Sequence, residues 1–276
     1  MTNIDKVIDR AFSCPHCGAG MYISDTRKSV YCKGARRHCF DFSADGYLSM
    51  GQGGGDSKDA VRARRAFLSK DYYLRGAEDI CSVASKYITP DSLVIDAGCG
   101  EGYYTNKIAE SSGFTVGFDL SKFACSAAAK SAKAKGIKAS LFVTGSVFEL
   151  PLSDGCADLV VNIFAPCAEE EYSRILSPKG HLIVVGAGEN HLMGLKEVLY
   201  ESTYVNSARA DMPKNMTLVE KTVSSFEIEV NGQEDIASLF LMTPYYWRTK
   251  ESDKEKLLTI DTLKTKIEFE ISVYKK

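Results

Sequence analysis

The stretch from Leu93 to Thr105, reading Leu-Val-Ile-Asp-Ala-Gly-Cys-Gly-Glu-Gly-Tyr-Tyr-Thr, limits what this chain can fold into more than any other. Leu93, Val94 and Ile95 make a short apolar run, the pattern of a strand buried on both faces. Asp96 ends it. Gly98, Gly100 and Gly102 then alternate with Ala97, Cys99 and Glu101, and glycine lets a backbone turn tightly and lie against a ligand. Tyr103 onward reads as a helix. A loop between a strand C-terminus and a helix N-terminus is where open α/β sheets bind nucleotide-like ligands.

The ligand can be narrowed. Phe114–Asp119 reads as a second strand ending in an acid, and a carboxylate there accepts both ribose hydroxyls. That much fits NAD or S-adenosylmethionine (SAM). The loop spells Asp-x-Gly-x-Gly-x-Gly, whereas a dinucleotide fingerprint is Gly-x-Gly-x-x-Gly with a pyrophosphate at the helix N-terminus. Glu101 would repel a pyrophosphate but tolerates a sulfonium with its ammonium group. The residues favour SAM, with Asp96, Gly98, Gly100, Glu101, Gly102 and Asp119 as candidate contacts. A dinucleotide, or a Gly-rich turn with no ligand, is the alternative.

The rest of the chain fits a globular enzyme. Its 276 residues suffice for one large or two modest domains, and 45% hydrophobic with 25% charged residues is ordinary for a soluble globule. Residues 1–10 show no secretory h-region and no apolar run reaches the length of a membrane span. The nine cysteines are scattered, which suits a reducing, cytoplasmic compartment better than a disulfide framework. Residues 1–75 carry a net charge of +5 and the remainder −7. A basic front on an acidic body suggests a polyanionic partner, against the blander reading of solvated surface charge.

Residues 12–42 form a unit. Cys14-Pro-His-Cys17 is a C-x-x-C knuckle, followed by Cys32 and then His38-Cys39. Zinc takes four such ligands tetrahedrally. Cys14, Cys17 and Cys32 are clear candidates; adjacency leaves the fourth open between His38 and Cys39, and His16 is expected to point outward. Arg27, Lys28, Lys33, Arg36 and Arg37 are interleaved with Tyr22, Tyr31, Phe40 and Phe42, a mixture in which bases can stack while cations meet phosphates. Tyr31 and Phe40 are expected in the small hairpin core instead. Gly51–Asp56 reads as a linker or mobile loop, followed by helical patterns from Lys58 and over 73–87.

The pattern then alternates: strand 92–97, helix 103–111, strand 114–119, helix 122–135, strand 138–143, strand 157–164, a short helix 168–176 and strand 181–187. This is a doubly wound parallel sheet. With SAM bound, the loop after the third strand faces the adenine, at Ser146 and Val147, and Phe164–Cys167 face the methyl group. Cys167 has no histidine base in view and reads as a small buried thiol. His191 begins a helix near a strand end, where ligand contact competes with packing. Residues 216–230 and 265–274 alternate as two long strands, and between them a helix is expected to stop at Pro244, leaving Tyr245, Tyr246, Trp247 and Arg248 in a loop. The fold class is thus α/β: a Rossmann-like SAM-dependent methyltransferase fold, seven-stranded and mixed with the last strand antiparallel, carrying a small N-terminal zinc-binding domain. The boundaries are 1–50 for the zinc-binding, RNA-recognising domain, 51–90 for the linker and leading helices, and 91–276 for the methyltransferase domain.

Several of these stretches together resemble the RlmA family of bacterial 23S rRNA guanine-N1 methyltransferases, over nearly the whole length. They are the zinc unit through Asp41, Ala63–Leu68, Asp96–Thr105, Phe164–Cys167, His191–Met193, and Met242–Pro244 with Trp247-Arg248. The resemblance implies a guanine in a hairpin of 23S rRNA as substrate and SAM and one structural zinc as cofactors. It implies zinc on Cys14, Cys17, Cys32 and His38, and SAM on Tyr73, Gly100, Glu101 and His191. Five residues separate Cys32 from His38, where about three are usual, which keeps Cys39 in play. The Gram-positive branch, linked to tylosin-type macrolide resistance, is the one favoured, and a homodimer is considered. No residue stands out as a general base; Phe164, Pro166 and Trp247 are the catalytic-site candidates, with Tyr246 as a further stacking partner for an unstacked guanine. The rival readings are a zinc-containing RNA-binding protein with an inactive methyltransferase-like domain, and a small-molecule methyltransferase.

Overall fold

The computed structural model describes residues 3–51, 53–207, 209 and 211–276; Gln52 of the expected linker lies outside them. The chain opens with helix α1 (Asn3–Ala11) and a three-stranded antiparallel sheet of β1 (Met21–Ile23), β2 (Ser29–Cys32) and β3 (Cys39–Asp41). A two-residue strand β4 (Leu48–Ser49) follows, then α2 (Lys58–Leu68) and α3 (Leu74–Ser85).

The alternating part comprises β5 (Leu93–Ala97), α4 (Tyr103–Ala109), β6 (Phe114–Asp119), α5 (Lys122–Ala134), β7 (Ser140–Thr144), β8 (Ala157–Ile163), α6 (Glu169–Ile175), β9 (Leu176–Ala187) and α7 (Met193–Leu199). The chain closes with β10 (Thr217–Asn231), α8 (Gln233–Leu241), α9 (Tyr245–Arg248), α10 (Glu251–Lys254) and β11 (Thr262–Lys275). The large sheet runs β10-β11-β9-β8-β5-β6-β7-β4. Strands β4 to β9 pair in parallel, while β11 is antiparallel to both β9 and β10. The last strand therefore slots between its neighbours and leaves β10 at the edge.

Alternation on the buried strands sends side chains to two faces. Val94, Leu159, Val161, Ile183 and Phe269 pack with α2, α3, α7 and α8. The other face is covered differently. Ile8 and Phe12, with Met21, Val30 and Phe40 of the Cys-rich hairpin, share one core with Val116, Phe118, Val143 and Tyr172. The N-terminal unit thus covers a sheet face, and β4 adds a strand to the sheet by pairing with β7.

The stretch expected to be a loose linker is pinned at both ends. The Met50 and Gly51 amides donate to Thr144 Oγ1 at 3.1 and 3.3 Å, and Ser121 Oγ donates to the Asp56 carbonyl at 2.7 Å. The loop expected over Tyr245–Arg248 is a helical turn instead. Pro244 opens it, since proline's missing N–H costs nothing where a helix begins. Among the described residues no helix is long and apolar enough to cross a membrane.

Candidate functional site

The C-terminal ends of β5 and β6 hold an acidic crevice. Asp96 is 1% exposed and accepts the Thr105 hydroxyl on Oδ2 at 2.5 Å, while its Oδ1 is buried with no hydrogen-bond partner. Glu101 is 6% exposed, and its Oε2 is likewise buried and without one. Burial lifts both carboxyls to about 7, against the Thr105 hydroxyl in one case and the Arg64 guanidinium in the other. Asp119 turns its oxygens inward, accepting the amides of Gly100 at 3.0 Å and Ser121 at 2.7 Å. Burial raises its carboxyl too, opposed by those two amides. Each of its oxygens keeps lone-pair capacity for a hydroxyl.

The three glycines divide their work. A Cβ on Gly98 would collide with that of Ala165, so this glycine lets β8's outgoing loop approach. Gly102 does the same for Ala128 of α5, a helix-packing role, with the nearest atom at 2.7 Å. Gly100 has a φ of +54°, and a Cβ there would meet nothing nearer than Arg64 Nη1 at 3.5 Å. Two buried carboxyls with unused oxygens, over a loop that admits close approach, suit a cationic ligand, which would favour their charged forms. The same set of acceptor oxygens is wrong for a pyrophosphate.

An aromatic wall stands beside the crevice. Tyr73, Phe164 and His191 gather around Phe269 of β11, with ring centroids 5.2, 5.0 and 5.6 Å from it. Nothing in the sequence marked Phe269 as the hub, because strand alternation alone cannot say what a residue meets across the sheet. Phe164 adopts a φ of +54° and stacks on His191, yet is 43% exposed, so one ring face stays open. His191 accepts the Glu268 amide on Nδ1 at 3.2 Å, so Nε2 carries the proton. Burial, then Lys196, lowers the imidazole to about 3. Tyr73 is buried, which raises its phenol.

The other expected residues make contacts of their own. Val147 points into the core shared with Phe12 and Leu150, and Ser146 Oγ accepts the Phe148 amide at 3.2 Å. Pro166 is exposed, its carbonyl accepting from Asn162 Nδ2 at 2.9 Å and from Tyr172 at 3.1 Å. Cys167 is half-buried and burial pushes its thiol to about 11, so it is no thiolate at neutral pH. Trp247 is 81% exposed. It stands on a cavity of about 410 Å³ lined by Asp56, Ser57, Arg64, Met242 and Pro244, two of which, Asp56 and Arg64, also border the crevice.

A second centre lies in the N-terminal unit. The ligand atoms of Cys14, Cys17, Cys32 and His38 all fall within 4.8 Å of one another. Cys17 and Cys32 sulfurs are 3.8 Å apart, and His38 Nδ1 lies 3.4 Å from Cys14 Sγ and 3.5 Å from Cys32 Sγ. A tetrahedral zinc with Zn–S of about 2.3 Å requires S···S of about 3.8 Å and S···N of about 3.6 Å. The four donors fit zinc. Cys39 turns away to Asp41, because β3 begins there and alternation sends 38 and 39 to opposite sides. All nine cysteines are free thiols. His16 is exposed and outside the cluster, as expected.

The basic segment is less free than its sequence suggests. Arg27 pairs with Asp5 and Lys33 with Asp9, both on α1, at 2.8 and 2.7 Å. Phe40 is in the core, as expected, but Tyr31 is on the outer face, since Val30 and Cys32 take the inner one. There Tyr31 stacks on Tyr22 under the Arg37 guanidinium.

Comparison with known proteins agrees with this geometry. Residues 88–255 match the family described as a methyltransferase domain. A 23S rRNA (guanine(748)-N(1))-methyltransferase of Streptomyces fradiae is 32% identical over 203 residues, 70% of this chain and 69% of its own. A Bacillus subtilis (strain 168) protein provisionally named a 23S rRNA (guanine-N(1)-)-methyltransferase is 27% identical over 264 residues, 90% of each chain. Among solved structures, a Galdieria sulphuraria protein provisionally named a sarcosine dimethylglycine methyltransferase shares the fold, with a TM-score of 0.50 and 12% identity over 79% of this chain and 98% of its own.

Proposed function

This chain belongs to the methyltransferase-domain family and, within it, to the 23S rRNA (guanine-N1)-methyltransferases, and on that premise we propose how its own residues do the work. It is a SAM-dependent enzyme that methylates N1 of a guanine in 23S rRNA, and its N-terminal cluster of three cysteines and one histidine is a zinc site. We further assign the target to a hairpin of that RNA, reached through the zinc unit, in the cytoplasm. The observation that carries the assignment of the cofactor site is the pair of unpartnered buried oxygens on Asp96 and Glu101, above the loop that Gly100 leaves open.

SAM would supply an electrophilic methyl group on its sulfonium, passed in line to guanine N1 as the carbon–sulfur bond breaks and the neutral thioether leaves. Asp96 and Glu101 would balance its positive charges, and Asp119 would accept the ribose hydroxyls. Ser146 and Val147 lie at the adenine end through their backbone, since the Val147 side chain is in the core. His191 stays neutral, with its Nε2 proton available to donate, and Tyr73 stays a neutral phenol. The open face of Phe164 stacks the unstacked guanine, Pro166 borders it, and Tyr246 and Trp247 guide the RNA strand. Guanine N1 must lose its proton. That proton passes to solvent, and alignment is the enzyme's main contribution.

N1 methylation blocks the Watson–Crick edge, so reverse transcriptase stops there. Incubating the purified protein with SAM and 23S rRNA from a strain lacking its gene should create one new stop at a guanine. No stop, with SAM bound normally, would support the inactive RNA-binding alternative instead.

A further inference from the structure

The geometry points to Arg64 as the anchor for the carboxylate of the cofactor's methionine end, an inference that rests on the SAM reading above. Arg64 lies on α2, whose first turn is fixed by the Ser57 hydroxyl accepting the Ala60 amide at 3.2 Å. One guanidinium nitrogen, Nη2, holds Asp56 at 2.5 Å, and Asp56 is itself tied to α5 through Ser121. The other, Nη1, hangs over Gly100, 3.5 Å from where a Cβ would stand, and 3.8 Å from Glu101 Oε2. That distance is too long for a hydrogen bond. Glu101 Oε2 therefore remains unsatisfied although a five-donor cation faces it.

The arrangement makes sense if Arg64 and Glu101 are both waiting for partners. SAM's methionine end is a zwitterion, with an ammonium that suits Glu101 and a carboxylate that repels it. The crevice around Gly100 is otherwise acidic, with Asp96, Asp119 and Glu101 facing it and Asp56 at its border. Arg64 is a cation beside Glu101, Asp56 and Asp119, and its charge is reinforced by Glu101 and Asp56 despite burial. When the zwitterion enters, Glu101 exchanges a distant guanidinium for a close ammonium, and Nη1 exchanges Glu101 for the carboxylate. Asp56 keeps the Arg64 side chain aimed throughout. A planar fork fixed on one side and open on the other suits a carboxylate.

The test compares SAM with decarboxylated SAM, which differs only in lacking that carboxylate, by calorimetric titration. The wild-type chain should bind SAM about 30-fold tighter, the scale of a charge-assisted hydrogen-bonded pair. Arg64→Ala should lose about 30-fold for SAM and less than about threefold for the decarboxylated form. Arg64→Lys, which keeps charge but not the fork, should fall between. Equal losses for both ligands, or no loss for either, would overturn the assignment. So would a wild-type chain that fails to tell the two apart, a result that needs no variant to fold. If the wild-type chain bound neither, the SAM reading itself would fail, a distinguishable outcome. Zinc content and thermal melting of each variant report its folding.

Discussion

The two centres of this molecule are built on opposite plans. The zinc site draws its donors from one short segment, 14–38, and brings four of them together at mutual distances set by a metal. The crevice draws on residues from 64 to 269, and its acids stand apart on a sheet with a core of its own. The first is a site that makes its surroundings fold; the second is a site that a folded sheet holds open. What this teaches is that loss of ligand should unfold one centre and merely relax the other.

Stripping the metal, or Cys32→Ser, carries the largest expected effect, since structural zinc contributes roughly 10–16 kcal/mol in small sites. Amide protection over 13–42 should vanish and rRNA methylation fall at least about 100-fold, with SAM affinity falling less than about tenfold. Equal collapse of both would break the comparison. Next, Asp96→Asn should weaken SAM binding by about 100-fold, the upper range for a bond to a charged group, with zinc content unchanged.

The crevice should also respond to pH in a way the zinc site does not explain. Asp96 and Glu101 sit near 7, above the unfolded 3.8 and 4.5, so between about 4 and 7 the folded chain holds the extra protons. Their contribution to stability is lost as pH rises through that window. His191, near 3 against an unfolded 6.5, acts in the opposite sense, its contribution being lost as pH falls. Glu101→Gln isolates one of these. Relative to wild type it should gain stability toward pH 8 in thermal melts without SAM, while losing the rise in SAM affinity between pH 6 and 8. A variant with wild-type pH profiles would sink this reading.

Smaller effects sharpen the contrast at its edges. Trp247→Ala should slow rRNA methylation about tenfold, the scale of one lost base stack, and leave SAM affinity alone; an unchanged rate would remove Trp247 from the RNA path. Cys39→Ser should leave zinc stoichiometry untouched, since its sulfur faces Asp41.

Sequence showed the local features and missed those made by distant partners. The strand-loop-helix at Leu93–Thr105 and the spacing of Cys14, Cys17 and Cys32 are contained in short segments, so their residue types announce them. The choice between His38 and Cys39 needed strand alternation, which only the position of β3 supplies. Helix α1 mixes its apolar Val7 and Ile8 with charges and escaped notice, and a two-residue strand such as β4 has no pattern to read. Phe269 and Arg64 act through chain-distant neighbours, Tyr73 and His191 in one case and Glu101 in the other. Gly102 carried a misleading signal, since its positive φ serves contact with α5 as much as any ligand.

The pairing of β4 with β7 has one more consequence. A front end stitched into the main sheet is splinted against it. The span from zinc unit to crevice is then a fixed ruler, and an RNA that grips one end offers the other only the nucleotide lying at that length.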